Sequence, residues 1–315
     1  MPDLFTAWPW KTTRNPLYLE AKADSDGWLA TFGDFFQKYK DCILDCDGKR
    51  LRCAGDVNTL LFVVDDILDY EDDATVKERM RILMDAMENP FKPRPDGEWI
   101  VGEMTRQFWE RTIKVSNTLS QERFMEGVRD CMAGMVRESL ARKASRQHDS
   151  IHGFLKTRRD SAGCNLVFAL SELEVAVPAE AMKHSQIREL IAIIQDISCI
   201  ANDTFSYRRE QSRGRTEDNI ITVVMNNLGT DIPGAIDWVE NHHKELMKEF
   251  IEKHDKVPKW GEPTDSKVKN YIESLAGWVW ANARWSFECR RYMGDEGMEI
   301  MEKSRWVRAI PKERI

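Results

Sequence analysis

Carboxylate side chains recur with helical spacing near position 65 of the chain. Asp65 and Asp69 are four residues apart, which places them on one face of a helix at about 100° per residue, with Asp66 beside them. The preceding run from Leu60 to Val64 is wholly apolar, so the helix that enters this segment is predicted to be buried. Carboxylates at the end of a buried helix usually line a cavity or bind a cation. Taken alone, the segment also fits an exposed acidic patch.

A second segment repeats the spacing with three kinds of oxygen. Asn202, Ser206 and Glu210 share one helical stripe that is two turns long. Amide, hydroxyl and carboxylate oxygens are hard ligands, which Mg²⁺ selects. The alternative is a polar helix end in which Ser206 bonds back to the carbonyl four residues earlier. Together the two segments predict the two walls of a site for magnesium and a diphosphate.

Arginines that could bind a diphosphate accompany these segments. Arg158 and Arg159 are adjacent, Arg209 lies within the second segment, and Arg291 is followed by Tyr292. Guanidinium groups form bidentate hydrogen bonds with phosphate oxygens. A single arginine is more often a surface salt-bridge former, so these residues indicate a site only in combination with the acidic segments.

Composition narrows the class of protein. A chain of 315 residues with 42% hydrophobic content can bury a sizeable core, and a mean hydropathy of -0.53 with no long apolar run argues against a membrane span. The first residues lack the apolar core of a signal peptide. Seven scattered cysteines without a CxxC pair favour reduced thiols in a cytoplasmic protein. The net charge of -7 argues against nucleic acid as a partner.

Apolar residues recur at intervals of three and four through most of the chain, which is typical of helices. Strand-like alternation and glycine-rich phosphate loops are not evident, and the Pro/Gly breaks are too short for domain linkers. We expect one all-α domain over residues 1–315, a helical bundle around a central cavity with residues 1–28 packed on or capping it. The predicted helices are Leu29–Tyr39, Val57–Tyr70, Val76–Met87, Gly102–Thr118, Gln121–Lys143, Ile151–Leu155, Asn165–Leu173, Ile187–Arg209, Thr216–Asn227, Ile232–Lys253 and Ser266–Tyr292.

Several motifs follow one another in the order of a known family. These are Trp8-Pro9-Trp10-Lys11, Asn15-Pro16-Leu17-Tyr18, Ser25-Asp26-Gly27-Trp28, the Asp65–Asp69 segment, Arg158-Arg159, the Asn202–Glu210 segment, residues 211–225 and Arg291-Tyr292. With them the chain resembles a class I terpene synthase, specifically a fungal sesquiterpene synthase of the basidiomycete type. The resemblance covers most of the chain and implies the all-α terpenoid synthase fold, in agreement with the helical pattern.

The resemblance implies a metal-binding role for both acidic segments. Asp65 resembles the aspartate that bridges two Mg²⁺ ions, Asp69 closes that motif, and Asp66 resembles its less strictly required middle position. The stripe of Asn202, Ser206 and Glu210 resembles the ligands of a third Mg²⁺. Mn²⁺ is the expected substitute ion.

The resemblance also assigns the cations. Arg158 resembles the diphosphate sensor, with Arg159 as the alternative. Arg209, Arg291 and Tyr292 resemble the remaining diphosphate donors.

Two positions depart from the family pattern. Ser161 and Ala162 fall where the linker and effector residues lie, and alanine is unusual there. Asp218 stands where a histidine often precedes Asn219.

Aromatic side chains should line the pocket in which a carbocation forms, because their faces stabilise cations without reacting with them. Phe62 lies one turn before Asp65 and is the first candidate. Trp278 is the second, since the family often has an aromatic residue at about this distance before the Arg-Tyr pair. Trp280, Trp285 and Trp306 are further candidates.

The implied activity is ionisation of a prenyl diphosphate to an allylic carbocation with release of diphosphate. Farnesyl diphosphate is the first candidate substrate and geranyl diphosphate the second. The product stays open between a hydrocarbon, a cyclic alcohol and an acyclic alcohol such as linalool or nerolidol. Prenyl chain elongation uses the same fold with two Asp-rich motifs, whereas a mixed stripe favours ionisation and cyclisation. A helical scaffold with acidic patches is the alternative outside enzymes, and the sequence leaves monomer or homodimer open.

Overall fold

Helices and the turns between them make up the described part of this protein, whose structure is a computed structural model. It describes residues 1–12, 16, 18–33, 48–68, 71–143, 148, 150–172, 175–304, 307 and 310–311. No β-strand occurs within these ranges, which confirms the all-α prediction. Nor is any helix in the same ranges both long and apolar enough to cross a bilayer.

The chain divides into two compact units. The N-terminal unit comprises Thr13–Leu140 and Gly163–Ala176, and the C-terminal unit comprises Met1–Thr12, Ala141–Ala162 and Val177–Ile315. The single domain expected from the sequence stays a prediction.

A long buried helix organises the N-terminal unit. This helix, α2 (Gly48–Leu68), packs against α1 (Tyr18–Ala30), α4 (Ile100–Ile113) and α7 (Cys164–Leu170). Its residues Val57, Leu60, Val63 and Val64 belong to the core of the unit. Asp56 is fully buried on α2, where it accepts hydrogen bonds from Ser25 Oγ at 2.6 Å and from Arg111 Nη2 at 2.8 Å. A buried carboxylate is tolerated because both of its oxygens have partners. The helices are α1 (Tyr18–Ala30), α2 (Gly48–Leu68), α3 (Asp73–Glu88), α4 (Ile100–Ile113), α5 (Thr118–Lys143, ending in the other unit) and α7 (Cys164–Leu170).

A second long helix, α9 (Ser185–Arg213), is central to the C-terminal unit. It contacts six other helices, which are α6 (Ile151–Ser161), α8 (Ala179–Lys183), α10 (Ile220–Leu228), α11 (Ile232–His254), α12 (Thr264–Glu288) and α13 (Arg290–Met293). Residues 193–201 of α9 are buried without a break, so this helix is covered on every side before the Asn202–Glu210 segment begins. It ends at Gly214, whose φ of 67° is the left-handed conformation that glycine adopts without steric cost. Short helical turns follow α13 through Ser304.

The first twelve residues pack within the C-terminal unit. Trp8 is 1% exposed, its Nε1 donates to the carbonyl of Ala276 at 2.9 Å, and its ring lies 5.4 Å from that of Phe250. Trp10 contacts the same phenylalanine edge-on at 5.2 Å. The tryptophans of the N-terminal motif therefore attach this segment to α11 and α12.

Helix boundaries differ from the sequence prediction at several places. Helix α1 begins at Tyr18 although its polar stretch around Gly27 shows little apolar periodicity. Helix α6 begins at Ile151, where Ser150 caps its first turn by accepting from Gly153 N at 3.0 Å, and it continues to Ser161, well past the predicted end at Leu155. The predicted Ser266–Tyr292 helix is interrupted at Cys289, whose extended backbone separates α12 from α13.

Candidate active site

The Asn/Ser/Glu stripe lies on the last part of α9, directly after the fully buried stretch. Ser206 is buried, whereas Asn202 and Glu210 are partly exposed. The Ser206 hydroxyl donates a long bond to the carbonyl of Asp203 at 3.4 Å, which is three residues back and not the four that a bonded helix end would show. The stripe thus stands at the edge of the buried core with its oxygens one turn apart.

Asn202 is the residue around which predicted diphosphate donors meet. Its Oδ1 accepts from Arg158 Nη2 at 3.4 Å, and its Nδ2 donates to the hydroxyl of Tyr292 at 3.2 Å. Arg158 comes from α6 and Tyr292 from α13, so three helices of the C-terminal unit bring these side chains together.

The two adjacent arginines of α6 have different partners. Arg158 donates from Nε and Nη2 to one oxygen of Asp203, at 3.2 and 3.0 Å. Arg159 instead pairs with Asp196, which lies on α9 less than two turns before Asn202. Of the two, Arg158 is the one that reaches the stripe itself, because it also contacts Asn202.

Asp203 joins the arginine to the helix that follows. It is fully buried, its Oδ2 accepts from Ile220 N at 3.0 Å, and its carbonyl accepts from Asn219 Nδ2 at 2.8 Å. Burial raises the pKa of this carboxyl, and Arg158 and the Ile220 amide act in the opposite direction. Asp203 therefore holds α6, α9 and the start of α10 at the site.

Glu210 has a carboxyl group in a poorly solvated environment. Burial, with a smaller contribution from the charge of Asp203, raises its pKa from 4.5 to about 7, although the hydrogen bond from Asn219 and the more distant charge of Arg158 oppose the shift. Among the described residues, no lysine or arginine forms an ion pair with Glu210. A carboxylate with this need for positive charge suits a bound cation.

The Arg291-Tyr292 pair occupies α13. Tyr292 is 3% exposed, and its ring meets Trp285 edge-on at 5.8 Å. Arg208 donates from Nε to the carbonyl of Tyr292 at 2.8 Å, which fixes the backbone of α13 to α9. Arg291 is partly buried and lies 5.8 Å from the Tyr292 ring. Arg209 is also partly buried, on the final turns of α9.

The predicted aromatic residues are dispersed. Trp278 and Trp280 are partly buried on α12, where Lys11 Nζ lies 5.3 Å from the Trp280 ring. Trp285, on the same helix, is the tryptophan in contact with Tyr292. Trp306 lies outside the described residues.

The first acidic segment lies on the last turns of α2 in the N-terminal unit. Asp65 is exposed, Asp66 is half-buried, and Asp69 lies outside the described residues. Phe62 is partly buried one turn before Asp65. The acidic residues Glu71-Asp72-Asp73 follow this segment, and Asp72 caps α3 by accepting from the amides of residues 74 and 75, both at 2.9 Å.

An apolar cavity of about 50 Å³ lies within the N-terminal unit. Leu61 and Val64, from the turn of α2 that precedes Asp65, line it. Its other walls include Met80, Phe108 and Met132. Helix α2 thus carries cavity-lining apolar residues in the turn before the exposed side chain of Asp65.

The stripe on α9 fits a hard divalent cation. It offers an amide, a hydroxyl and a carboxylate oxygen, and Mg²⁺ prefers such ligands. The described residues contain no group of three or more His, Cys, Asp or Glu side chains placed to hold a metal. A cation here would therefore depend on Asn202 and Ser206 as much as on Glu210.

The sequence assigns no separate role to two residues of this arrangement. Asp203 lies within the Asn202–Glu210 segment, and Asn219 lies within residues 211–225. The available signal was an asparagine directly before the apolar run at Ile220, which is typical of a helix N-cap. Asp218, which stands where the family often has histidine, contacts a histidine, since its Oδ1 lies 3.1 Å from His148 Nε2.

Comparison with solved structures defines the class of the fold. A linalool/nerolidol synthase from Streptomyces clavuligerus, in complex with 2-fluorogeranyl diphosphate, superposes with a TM-score of 0.77 at 18% identity, over 91% of this chain and 99% of that one. A single-residue variant of a cucumene synthase superposes with a TM-score of 0.75 at 20% identity, over 88% and 98% of the two chains. The all-α architecture is therefore that of class I terpene synthases.

Sequence comparison then places the chain. The profile of the family described as "Terpene synthase family 2, C-terminal metal binding" matches residues 56–249. A delta(6)-protoilludene synthase from Stereum hirsutum is 38% identical over 100% of this chain and 93% of its own, and one from Armillaria gallica is 38% identical over 99% and 94%. Sesquiterpene synthase 14 from Postia placenta is 34% identical over 99% and 92%. This chain belongs to the terpene synthase family and is an enzyme of the class I type.

Proposed function

We propose that this enzyme ionises farnesyl diphosphate with the help of Mg²⁺ and converts the allylic cation to a sesquiterpene hydrocarbon or alcohol, releasing diphosphate. The observation that carries the proposal is the meeting of Arg158, Asn202 and Tyr292 at the head of the Asn/Ser/Glu stripe. A guanidinium and a phenol beside a set of hard oxygen ligands can bind a diphosphate and its counter-ions together. The family description, which names C-terminal metal binding, and the names of the fungal relatives support this substrate class.

Two sets of residues are the proposed metal ligands. Asn202, Ser206 and Glu210 would hold one Mg²⁺, and Asp65 and Asp69 of the first acidic segment would hold two more. When bound, Mg²⁺ neutralises the diphosphate and makes it a better leaving group.

Arginine and tyrosine side chains bind the diphosphate itself. Arg158 would donate to its oxygens from α6, and Arg209 from α9. Arg291 and Tyr292 would donate from α13, whose position is fixed by the bond from Arg208. These donors stabilise the negative charge that grows on the leaving group as its bond to carbon breaks.

The prenyl chain requires a dry, apolar surrounding, because water would trap the cation. The cavity lined by Leu61 and Val64 in the N-terminal unit has an apolar surface of this kind. Phe62 on α2 and the tryptophans of α12, with Trp285 now ahead of Trp278, are the aromatic candidates for stabilising the cation.

Product analysis tests the proposal. Purified protein is incubated with farnesyl or geranyl diphosphate and Mg²⁺, and extracts are analysed by gas chromatography with mass spectrometry, together with a diphosphate assay. We expect a sesquiterpene and one diphosphate per turnover, with delta(6)-protoilludene the first product to compare because of the relatives' names. Excess chelator should abolish turnover, and added Mn²⁺ tests the substitute ion.

Two parallel reactions separate the alternatives. A longer prenyl diphosphate formed when isopentenyl diphosphate is supplied would indicate chain elongation. Absence of a product from every substrate would favour the alternative of a non-enzymatic helical scaffold.

A pair of variants tests the metal-binding stripe. Asn202→Ala should lose turnover, whereas Asn227→Ala, the same change at an exposed position of α10, should keep it. Equal activity of these two variants would contradict the placement of the metal-binding stripe.

A further inference from the structure

Asn219 is an asparagine whose side chain is completely buried and fully hydrogen-bonded. Its Oδ1 accepts from Ile221 N at 3.0 Å and thereby caps α10. Its Nδ2 donates to the carbonyl of Asp203 at 2.8 Å and to Oε2 of Glu210 at 2.9 Å. One acceptor and two donors are used at once, and only an amide side chain provides this combination.

The two donor bonds attach the start of α10 to the Asn/Ser/Glu stripe of α9. They reach positions 203 and 210, which lie on either side of Ser206 along the helix. The next backbone amide, that of Ile220, adds a third bond to the carboxylate of Asp203 at 3.0 Å. The connection is therefore directed at the part of α9 where the proposed ligands lie.

We propose that Asn219 is a positioning residue that holds the carboxylate of Glu210 ready to bind a metal ion; this rests on the proposed function. A hydrogen bond to one carboxylate oxygen restricts the rotation of the side chain before the ion arrives. Without that bond, Glu210 would have to be ordered by the ion itself, and the cost would appear as weaker binding. Residues that orient a ligand in this way typically contribute about 10- to 100-fold in metal affinity.

The substitution Asn219→Asp separates this role from capping. Aspartate keeps an oxygen for Ile221 N and is a good N-cap, but it has no hydrogen to donate to Glu210. Asn219→Ser is the second variant, since serine also caps helices and is too short to reach Glu210. Asn227→Asp is the matched control, because it makes the same chemical change on α10 where the side chain bonds only backbone carbonyls.

The readout is binding of Mg²⁺ in the presence of inorganic diphosphate, measured by isothermal titration calorimetry without substrate. We expect both Asn219 variants to bind Mg²⁺ about 10- to 100-fold more weakly than the wild type, and Asn227→Asp to bind as the wild type does. Thermal melting of the metal-free proteins should remain cooperative in all variants.

Three results would overturn the inference. They are unchanged or tighter Mg²⁺ binding in both Asn219 variants, no Mg²⁺ binding by the wild type, and loss of the cooperative melt in both variants, which would assign Asn219 to the fold. Failure of the proposed function looks different. In that case the wild type forms no terpene from farnesyl diphosphate, while the comparison of Mg²⁺ affinities can still be made.

Discussion

Arg159 and Asp196 form a two-pronged ion pair, with 2.6 Å between Nε and Oδ1 and 2.5 Å between Nη2 and Oδ2. The Asp196 side chain is 7% exposed, so the pair links α6 to the buried part of α9. Its neighbour Arg158 reaches Asn202 and Asp203 instead. Both arginines thus pair with a buried aspartate, and Arg158 also lies at the proposed ligands.

The first prediction separates these two arginines. Arg159→Ala should destabilise the fold by on the order of 3 kcal/mol, because it leaves the buried Asp196 carboxylate without its partner. Turnover of the folded variant should stay near that of the wild type. Arg158→Ala should also destabilise the fold, because the buried Asp203 loses its partner, and in addition it should lower kcat/KM on the order of 10²-fold through loss of a diphosphate donor. Both are measured by thermal melting and by product formation well below the melting midpoint. A larger loss of turnover in Arg159→Ala would make that residue the diphosphate sensor.

The second prediction concerns pH and the metal-free protein. Because the pKa of Glu210 is about 7 in the fold and near 4.5 when unfolded, the folded state binds the proton more tightly. The free energy of unfolding should therefore fall as the pH rises from about 4.5 to 7. Melting in the presence of a chelator should show this decline, and Glu210→Gln should make it shallower. The pKa of Asp203 is raised by burial as well, so part of the slope of stability against pH should remain in Glu210→Gln.

An exposed glutamate provides the control for this measurement. Glu217→Gln, in the same unit, should leave the slope of stability against pH as it is in the wild type. A slope that Glu210→Gln does not alter would mean that the carboxyl of Glu210 is well solvated.

The third prediction concerns His243, which is fully buried on α11 with its ring edge-on to Phe5 at 4.9 Å. Neither ring nitrogen has a hydrogen-bond partner among the described residues, and burial lowers the pKa to about 3. His243 takes up a proton near pH 6.5 in the unfolded chain, whereas in the folded protein it stays neutral down to about pH 3. The free energy of unfolding should therefore decrease as the pH falls below 6.5. His243→Leu should raise the melting temperature more at about pH 5 than at about pH 8.

The adjacent histidine is the comparison for that variant. His242 is partly exposed and stacks on Trp238 at 4.7 Å. His242→Leu should give no comparable gain in the acidic buffer. Equal gains from both substitutions would indicate a general effect of added apolar surface.

The fourth prediction distinguishes Asp65 of the first acidic segment from Asp72, which follows that segment. Asp65→Ala should lose on the order of 10²-fold in turnover with little change in stability, because this exposed side chain is a proposed metal ligand. Asp72→Ala should keep turnover and lose about 1 kcal/mol of stability, because Asp72 caps α3. Asp72→Ser should recover most of that stability. Comparable loss of turnover in Asp65→Ala and Asp72→Ala would mean that the metal-binding face of the segment is misassigned.

Local periodicity was enough to predict the helical class and the stripe on α9. The spacing of Asn202, Ser206 and Glu210 places them on one face of any helix, whatever surrounds it. The apolar run before Asp65 likewise predicted a buried helix that ends in carboxylates, and α2 has this character through residue 66. These features depend on neighbours within a few residues, so the sequence contains them directly.

Contacts between distant segments could not be read in the same way. Arg158 and Arg159 are adjacent and chemically identical, and only the packing of α6 against α9 directs one to Asn202 and the other to Asp196. The contact of Trp285 with Tyr292 likewise depends on the turn at Cys289, which apolar periodicity did not indicate.

The sequence by itself determined the kinds of ligand atom in this protein and their order along the chain. The tertiary structure decided which side chains orient them. Asn219 shows the difference, since its identity as a helix cap is a local property, whereas its bond to Glu210 exists only because α10 folds back onto α9. Hydrogen bonds of this kind act over about 3 Å, and the separation of two residues in sequence does not determine whether their atoms come that close.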